Sequence, residues 1–176
     1  HHEFDYIDWE MVYETLREVP RLFQLWACKQ VMNIAATNKN LSRRHRDGRS
    51  DKCPCCTIHV ETAEHVLLCP EVGRVEAFQL GTTALERWLV EADTDPDLTD
   101  SIVEYVQRRG ASAMEEVITD APPRFRHMAL SQDKIGWRRF LEGMISTEIT
   151  SIQRQYIAVN GSRMSLDKWC TGLITR

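Results

Sequence analysis

Residues 51–74, DKCPCCTIHVETAEHVLLCPEVGR, hold four of the chain's six cysteines and two of its six histidines. Such crowding of soft ligands suits Zn²⁺, which in a structural site takes four thiolate or imidazole donors in a tetrahedron, commonly from two short-spaced pairs. The segment offers two such pairs. Cys53 and Cys56 stand in C-x₂-C spacing around Pro54, a turn on which two thiolates can converge on one ion. His65 and Cys69 are four residues apart, which places them on one face of a helix. Thr62 or Glu61 is positioned to cap that helix, and Pro70 follows its last ligand. The eight residues between the pairs allow a small turn that folds the second pair back over the first. Val66 and Leu67 would point from the same helix toward the core.

Two alternatives within the segment are weaker. Cys55 could replace Cys56, but C-x-C is a tighter turn, so Cys55 is left as a spare thiol or a neighbour of the site; His59 could compete with His65, but it lacks a helical partner at the right distance. Four protein ligands close a zinc coordination shell, so the pattern predicts a structural ion with no open position for catalysis. No third group is placed to orient a nucleophile at Cys55, and no catalytic residue is assigned.

Working outward, apolar positions recur at helical spacing and no window shows the sustained alternation of a strand. The expected fold is all-α, an irregular multi-helix domain with one embedded Cys/His zinc knuckle and a second helical subdomain at the C-terminus. It divides into a helical domain at 1–110 carrying the zinc site at 51–70, a connection at 111–130, and a C-terminal helical hairpin at 131–176 able to pack on the first part. Trp9, Val12, Tyr13, Leu16 and Val19 form one stripe behind an N-cap at Asp8, and Pro20 opens a second helix. That second helix, RLFQLWACKQVMNIAA, is apolar around most of its circumference and is expected to be central and buried. A further helix runs from about Pro70 to Ala92, with Gly81 as a weak point, and another carries Leu98, Ile102, Tyr105 and Val106 to Gly110. Pro122 and Pro123 forbid a continuous helix, leaving at most one short helix in the connection. Trp137, Phe140, Leu141, Met144, Ile145, Ile149, Ile152 and Tyr156 trace one long stripe, and Leu166, Trp169, Cys170, Leu173 and Ile174 another. Cys28 and Cys170 are expected to pack in the core as small apolar residues.

With 43% hydrophobic and 27% charged residues among 176, the chain is long enough to bury a core. No window approaches the ~18 apolar residues that span a bilayer, so no membrane contact is expected. Clustered cysteines interleaved with histidine fit a reducing compartment, and the protein is expected to be intracellular, nuclear or cytoplasmic. A net charge of −4 excludes a surface built throughout to hold nucleic acid. Any such contact is local. The most basic stretch, TNKNLSRRHRDGRSDK, lies just before the cysteines, where Lys39, Arg43, Arg44, Arg46, Arg49 and Lys52 outnumber Asp47 and Asp51. These six residues are the candidate contacts to RNA or DNA phosphates.

CPCC, ETAEHVLLCP and the upstream FQLWACKQVMN together resemble the zinc-binding region downstream of the reverse transcriptase domain in retroelement-encoded proteins, especially the forms abundant in protist genomes. DKIGWRRFLEGMISTEITSIQRQY is similar to the C-terminal helical part of the same proteins, so the resemblance spans most of the chain. It implies that Cys53, Cys56, His65 and Cys69 bind zinc and that the chain belongs with a larger parent protein. Three departures stand out: Thr57 occupies a position commonly glycine, Cys55 replaces other side chains, and the last pair is H-x₃-C where many relatives have H-x₄-C. The polymerase itself is not in the sequence, since no Tyr/Phe-x-Asp-Asp carboxylate pair or convincing nuclease motif occurs. The expected function is therefore an accessory, non-enzymatic one. The chain is either a zinc-stabilised helical domain that contacts nucleic acid through a local basic patch, or a zinc-stapled structural or protein-interaction module.

Overall fold

The computed structural model describes residues 3–45, 47–118 and 122–176, and among them the regular structure is helical, with no strand beyond two isolated bridges. No helix among the described residues is long and apolar enough to cross a membrane. The chain folds as two units, one of residues 1–19 and 81–176 and the other of residues 20–80. This discontinuous division differs from the sequential one expected at 1–110 and 131–176.

The larger unit begins with a 3₁₀ turn, Glu3–Tyr6, followed by α1, Trp9–Glu18. Asp8 caps α1 as expected, its carboxylate accepting from the Met11 amide at 3.1 Å, and it also accepts from Thr150 Oγ1 at 2.6 Å. That second bond ties the start of α1 to a residue far along the chain. α1 buries Met11 and Thr15 against α11, Leu166–Thr175, while Trp9 and Tyr13 of the expected stripe are 44% and 61% exposed. α11 buries Trp169, Cys170 and Leu173, so Cys170 packs as expected.

The remaining helices of this unit are the C-terminal part of α5 (Val72–Glu91), α6 (Pro96–Gln107), α7 (Met114–Val117), α8 (Pro123–Ile135), α9 (Trp137–Leu141) and α10 (Thr147–Asn160). α6 starts on a strong signal, Asp95 accepting from the Asp97 and Leu98 amides with Pro96 at the first helical position. Its Leu98, Ile102, Tyr105 and Val106 meet Met114, Phe125, Met128, Ile145, Ile149 and Ile152 in the core, all nearly or fully buried. Each such side chain contributes about 1.5–3 kcal/mol by leaving water.

Two expectations give way here. Pro122 and Pro123 do not merely interrupt the connection; Pro122 caps α8 and Pro123 takes its first turn, where the missing N–H costs nothing, so residues 111–130 hold α7 and the start of a second helix. The stripe from Trp137 to Tyr156 is likewise two helices. Gly143, at φ +86°, turns the chain between them, and the buried Gln132 side chain donates to the Met144 carbonyl at 3.3 Å and accepts from the Ser146 amide at 2.9 Å. A glutamine from α8 thus satisfies the backbone groups that a continuous helix would have paired internally.

The smaller unit holds α2 (Arg21–Val31), α3 (Asn38–His45), α4 (Ala63–Leu68) and residues 72–80 of α5. Pro20 sits at the cap of α2 and Gly81 lies inside α5 without ending it. α2 is not the buried central helix expected from its composition: none of its residues is buried, and Leu22, Trp26 and Cys28 are exposed. Cys28 therefore does not pack in a core. Among the described residues of this unit, the buried apolar side chains are Ala35, Cys53 and Cys69. A unit with so little aliphatic core is not held by hydrophobic burial, and small domains of that kind need a staple.

Candidate metal centre

Residues 51–61 form a tight reversal that carries the first ligand pair. Glu61 N donates to Asp51 O at 2.9 Å, Lys52 and Val60 form an antiparallel bridge, and Cys53 N donates to His59 O at 2.8 Å. At the tip, Thr57 N donates back to Cys53 O at 2.9 Å, which requires Thr57 to adopt φ +58°. That left-handed conformation is the one glycine adopts without strain. A glycine at position 57 would hold this turn without that strain.

The second pair comes from α4. Thr62, not Glu61, caps it, its hydroxyl accepting from His65 N at 2.9 Å. Cys69 ends the helix before Pro70, and His65 and Cys69 face the hairpin. The ligand atoms of Cys53, Cys56, His65 and Cys69 all lie within 4.8 Å of one another. Cys53 Sγ is 3.8 Å from Cys69 Sγ, and Cys56 Sγ is 3.4 Å from His65 Nε2. Cys53 and Cys69 are buried and the other two half-buried.

The electrostatics of the cluster are compatible with a bound cation. The backbone amides of His59 and Ile58 hold the Cys56 thiol down at about 6, as expected for a sulfur that is to carry charge at neutral pH. Cys69 moves the other way. The Glu71 amide pulls it down, but burial and the neighbouring Cys53 and Cys56 sulfurs push it up by more. Thiolates this close repel unless a positive ion lies between them. Three sulfurs and one imidazole converging from a turn and a helix face could hold a metal ion.

Cys55 and His59, the two weaker alternatives, lie outside the cluster as expected. Cys55 is exposed and its sulfur accepts from Arg74 Nε at 3.2 Å, while the His59 ring lies 5.3 Å from the His65 ring, centroid to centroid.

The predicted basic residues are placed less uniformly. Lys39 lies half-buried in the first turn of α3, Arg43 and Lys52 are exposed, and Arg46 is outside the described residues. Arg44 Nη2 donates to Ile34 O at 2.8 Å. Arg49 is engaged by Asp47 at 2.5 Å, which holds the Asp47 carboxyl well below the usual carboxylate range.

One residue that matters here escaped its expected role. Glu61 does not cap α4; its buried carboxylate accepts from Asn38 N at 2.7 Å, its carbonyl from Lys39 N at 3.3 Å, and Arg74 Nη2 lies 3.6 Å from it. Asn38 Nδ2 also donates to Lys52 O at 2.8 Å. The first turn of the basic helix is therefore fastened to the hairpin that carries Cys53 and Cys56. α3 has no acidic residue in its own first turn, so the remote carboxylate of Glu61 supplies the favourable charge at its N-terminus.

No protein-family model, curated protein or solved structure matches the chain.

Proposed function

We propose that Cys53, Cys56, His65 and Cys69 bind one Zn²⁺ in a closed structural site, and that the metal sets α3 in place as a helix contacting RNA or DNA. In this reading the chain is an accessory, non-catalytic domain of a retroelement-type reverse transcriptase protein. The observation that carries the metal half is the shape of the cluster. Zn–S bonds of about 2.3 Å and a Zn–N bond of about 2.05 Å in a tetrahedron put sulfurs about 3.8 Å apart and sulfur about 3.5 Å from nitrogen. Two of the six separations, Cys53–Cys69 and Cys56–His65, match at 3.8 and 3.4 Å, and all six fall within 4.8 Å, close enough for one ion to draw the donors together. The thin apolar core of residues 20–80 supports the same reading, because binding energy at a structural zinc is then folding energy for that unit.

The nucleic-acid half is supported by Arg43 and Lys52, exposed cations on α3 and on the hairpin to which α3 is tied. Protein purified under reducing, chelator-free conditions should hold about one zinc per chain, and a strong chelator should unfold residues 20–80 while the hydrophobic core of the other unit persists. Hydrogen exchange resolved by segment reads both; less than about half an equivalent of zinc, or unchanged protection at 51–70 on chelation, would overturn the metal claim. Arg43→Glu with Lys52→Glu should weaken oligonucleotide binding about ten-fold or more at low salt and flatten its salt dependence.

A second reading, a zinc-stapled protein-interaction module, is favoured by the engagement of Arg44 and Arg49 within the chain and by the net charge of −4. Retention of zinc with no affinity for any nucleic acid at low salt would select it.

A further inference from the structure

Residues 20–80 contain a groove of about 450 Å³ between α2, the turn at 35–37 and α4, lined by Leu22, Leu25, Trp26, Lys29, Ala36 and Val66 among others. Leu22, Leu25, Trp26 and Lys29 fall at i, i+3, i+4 and i+7, one face of α2. Trp26 is 52% exposed and its ring is backed by Phe23, 5.4 Å away between centroids. The wall is thus an aromatic surface in a mostly aliphatic trough.

The lining of this trough carries one cation, Lys29, and one carboxylate, Glu61, and the Glu61 carboxylate is engaged within the chain. α2 contains no carboxylate, and both oxygens of Glu61 at the groove face Asn38 N and Arg74. Between residues 20 and 52 there are eight lysines and arginines against two aspartates, in a chain whose net charge is −4. The turn that follows α2 is tied to the basic helix. The Lys29 carbonyl accepts from Ile34 N at 2.9 Å, and the Ile34 carbonyl accepts from Arg44 of α3 at 2.8 Å.

We propose that the groove takes an unpaired base of a single-stranded nucleic acid, stacked on Trp26, with the adjoining phosphates held by Lys29 and the cations of α3. This rests on the nucleic-acid reading above and names its ligand class and a site that none of the predicted basic residues covers. An apolar groove beside a cationic surface suits a strand whose bases are free, because a duplex keeps its π-faces stacked inside and offers mainly phosphate. Pairing of α2 with a second copy is disfavoured by Arg21 and Lys29, which would meet their own kind with no carboxylate on either helix.

The test uses the full zinc-loaded chain and mixed-sequence probes of about 12 nucleotides, as single-stranded RNA, single-stranded DNA and duplex DNA, at one fixed low salt concentration. Single strands should bind at least about ten-fold more tightly than duplex. Trp26→Ala should remove about ten-fold or more of single-strand affinity and little for duplex, whereas Trp26→Phe should retain most of it. Zinc content and the thermal transition of each variant check that the fold survives, as expected for a side chain half in solvent. The RNA and DNA arms tell which sugar is preferred. Equal affinity for duplex and single strand with a neutral Trp26→Ala overturns this inference and leaves the basic-helix reading standing. No binding of any probe overturns both, and in that case binding of an acidic amphipathic peptide, lost in Trp26→Ala, would assign the groove to a protein helix.

Discussion

Thr57 shows how one residue carries both a cost and an explanation. Its φ of +58° closes the turn between Cys53 and Cys56, a conformation that a β-branched residue adopts at a cost of about 1–2 kcal/mol. Thr57→Gly should therefore raise the stability of the zinc-loaded hairpin by about 1 kcal/mol, read as a higher chelator concentration at half-loss of metal. A lower concentration would mean that the bond from the Thr57 hydroxyl to the Cys56 carbonyl outweighs the strain. Gly172 is the opposite case. A Cβ there would lie 2.1 Å from Cζ2 of the buried Trp88, so Gly172→Ala should destabilise the larger unit by about 1–3 kcal/mol in denaturant unfolding. At this scale the four residues of the Cys/His cluster were legible in the sequence, because two pairs at turn and helix spacing restrict the chemistry. C-x-C is the tighter turn, which favours Cys56 over Cys55, and Cys56 is the one that joins the cluster.

At the scale of elements, the coupling of α3 to the hairpin runs through Glu61. Its carboxylate is the anion at the N-terminus of a helix whose first turn has none, an interaction worth about 1–2 kcal/mol when partly buried. Glu61→Gln should speed amide exchange at Asn38 and Lys39 while the zinc stays bound, because Glu61 is not among the clustered ligands. Loss of zinc with unchanged exchange in α3 would reverse that assignment. Helix periodicity located most elements correctly but misjudged the connection at 111–130, the stripe from Trp137 to Tyr156 and α2. The stripe from Trp137 to Tyr156 conceals a break because Gly143 and the side chain of Gln132 act across elements, which one-dimensional spacing does not record. The all-round apolar character of α2 implied burial, yet the helix lies at the surface of a unit too small to surround it.

For the whole molecule, the two units respond to different conditions because different forces hold them. The larger unit keeps Cys170 and Tyr105 neutral: burial pushes the Cys170 thiol from 9.0 up to about 12, and burial likewise raises Tyr105 above 10.0. A folded-state pKa above the unfolded value gives stability that is complete below the unfolded pKa and lost as pH rises through the window above it. Stability of this unit should hold up to about pH 9 and then fall between about 9 and 12. The slope is up to about 1.4 kcal/mol per pH unit for each group that ionises in the unfolded chain. Denaturant unfolding from pH 8 to 11 checks this, and Cys170→Ala should shift the onset toward 10, where only tyrosine remains.

By itself the sequence determined the helical class, most of the helices and the four residues able to surround an ion, since these depend on spacing along the chain. The tertiary structure alone decided which groups finish those elements and where the apolar faces go. It placed Glu61 on α3, Gln132 at the break before α10 and α2 in the open. Each of these depends on distances between residues remote in sequence, and on how much apolar surface a unit has available to cover a helix.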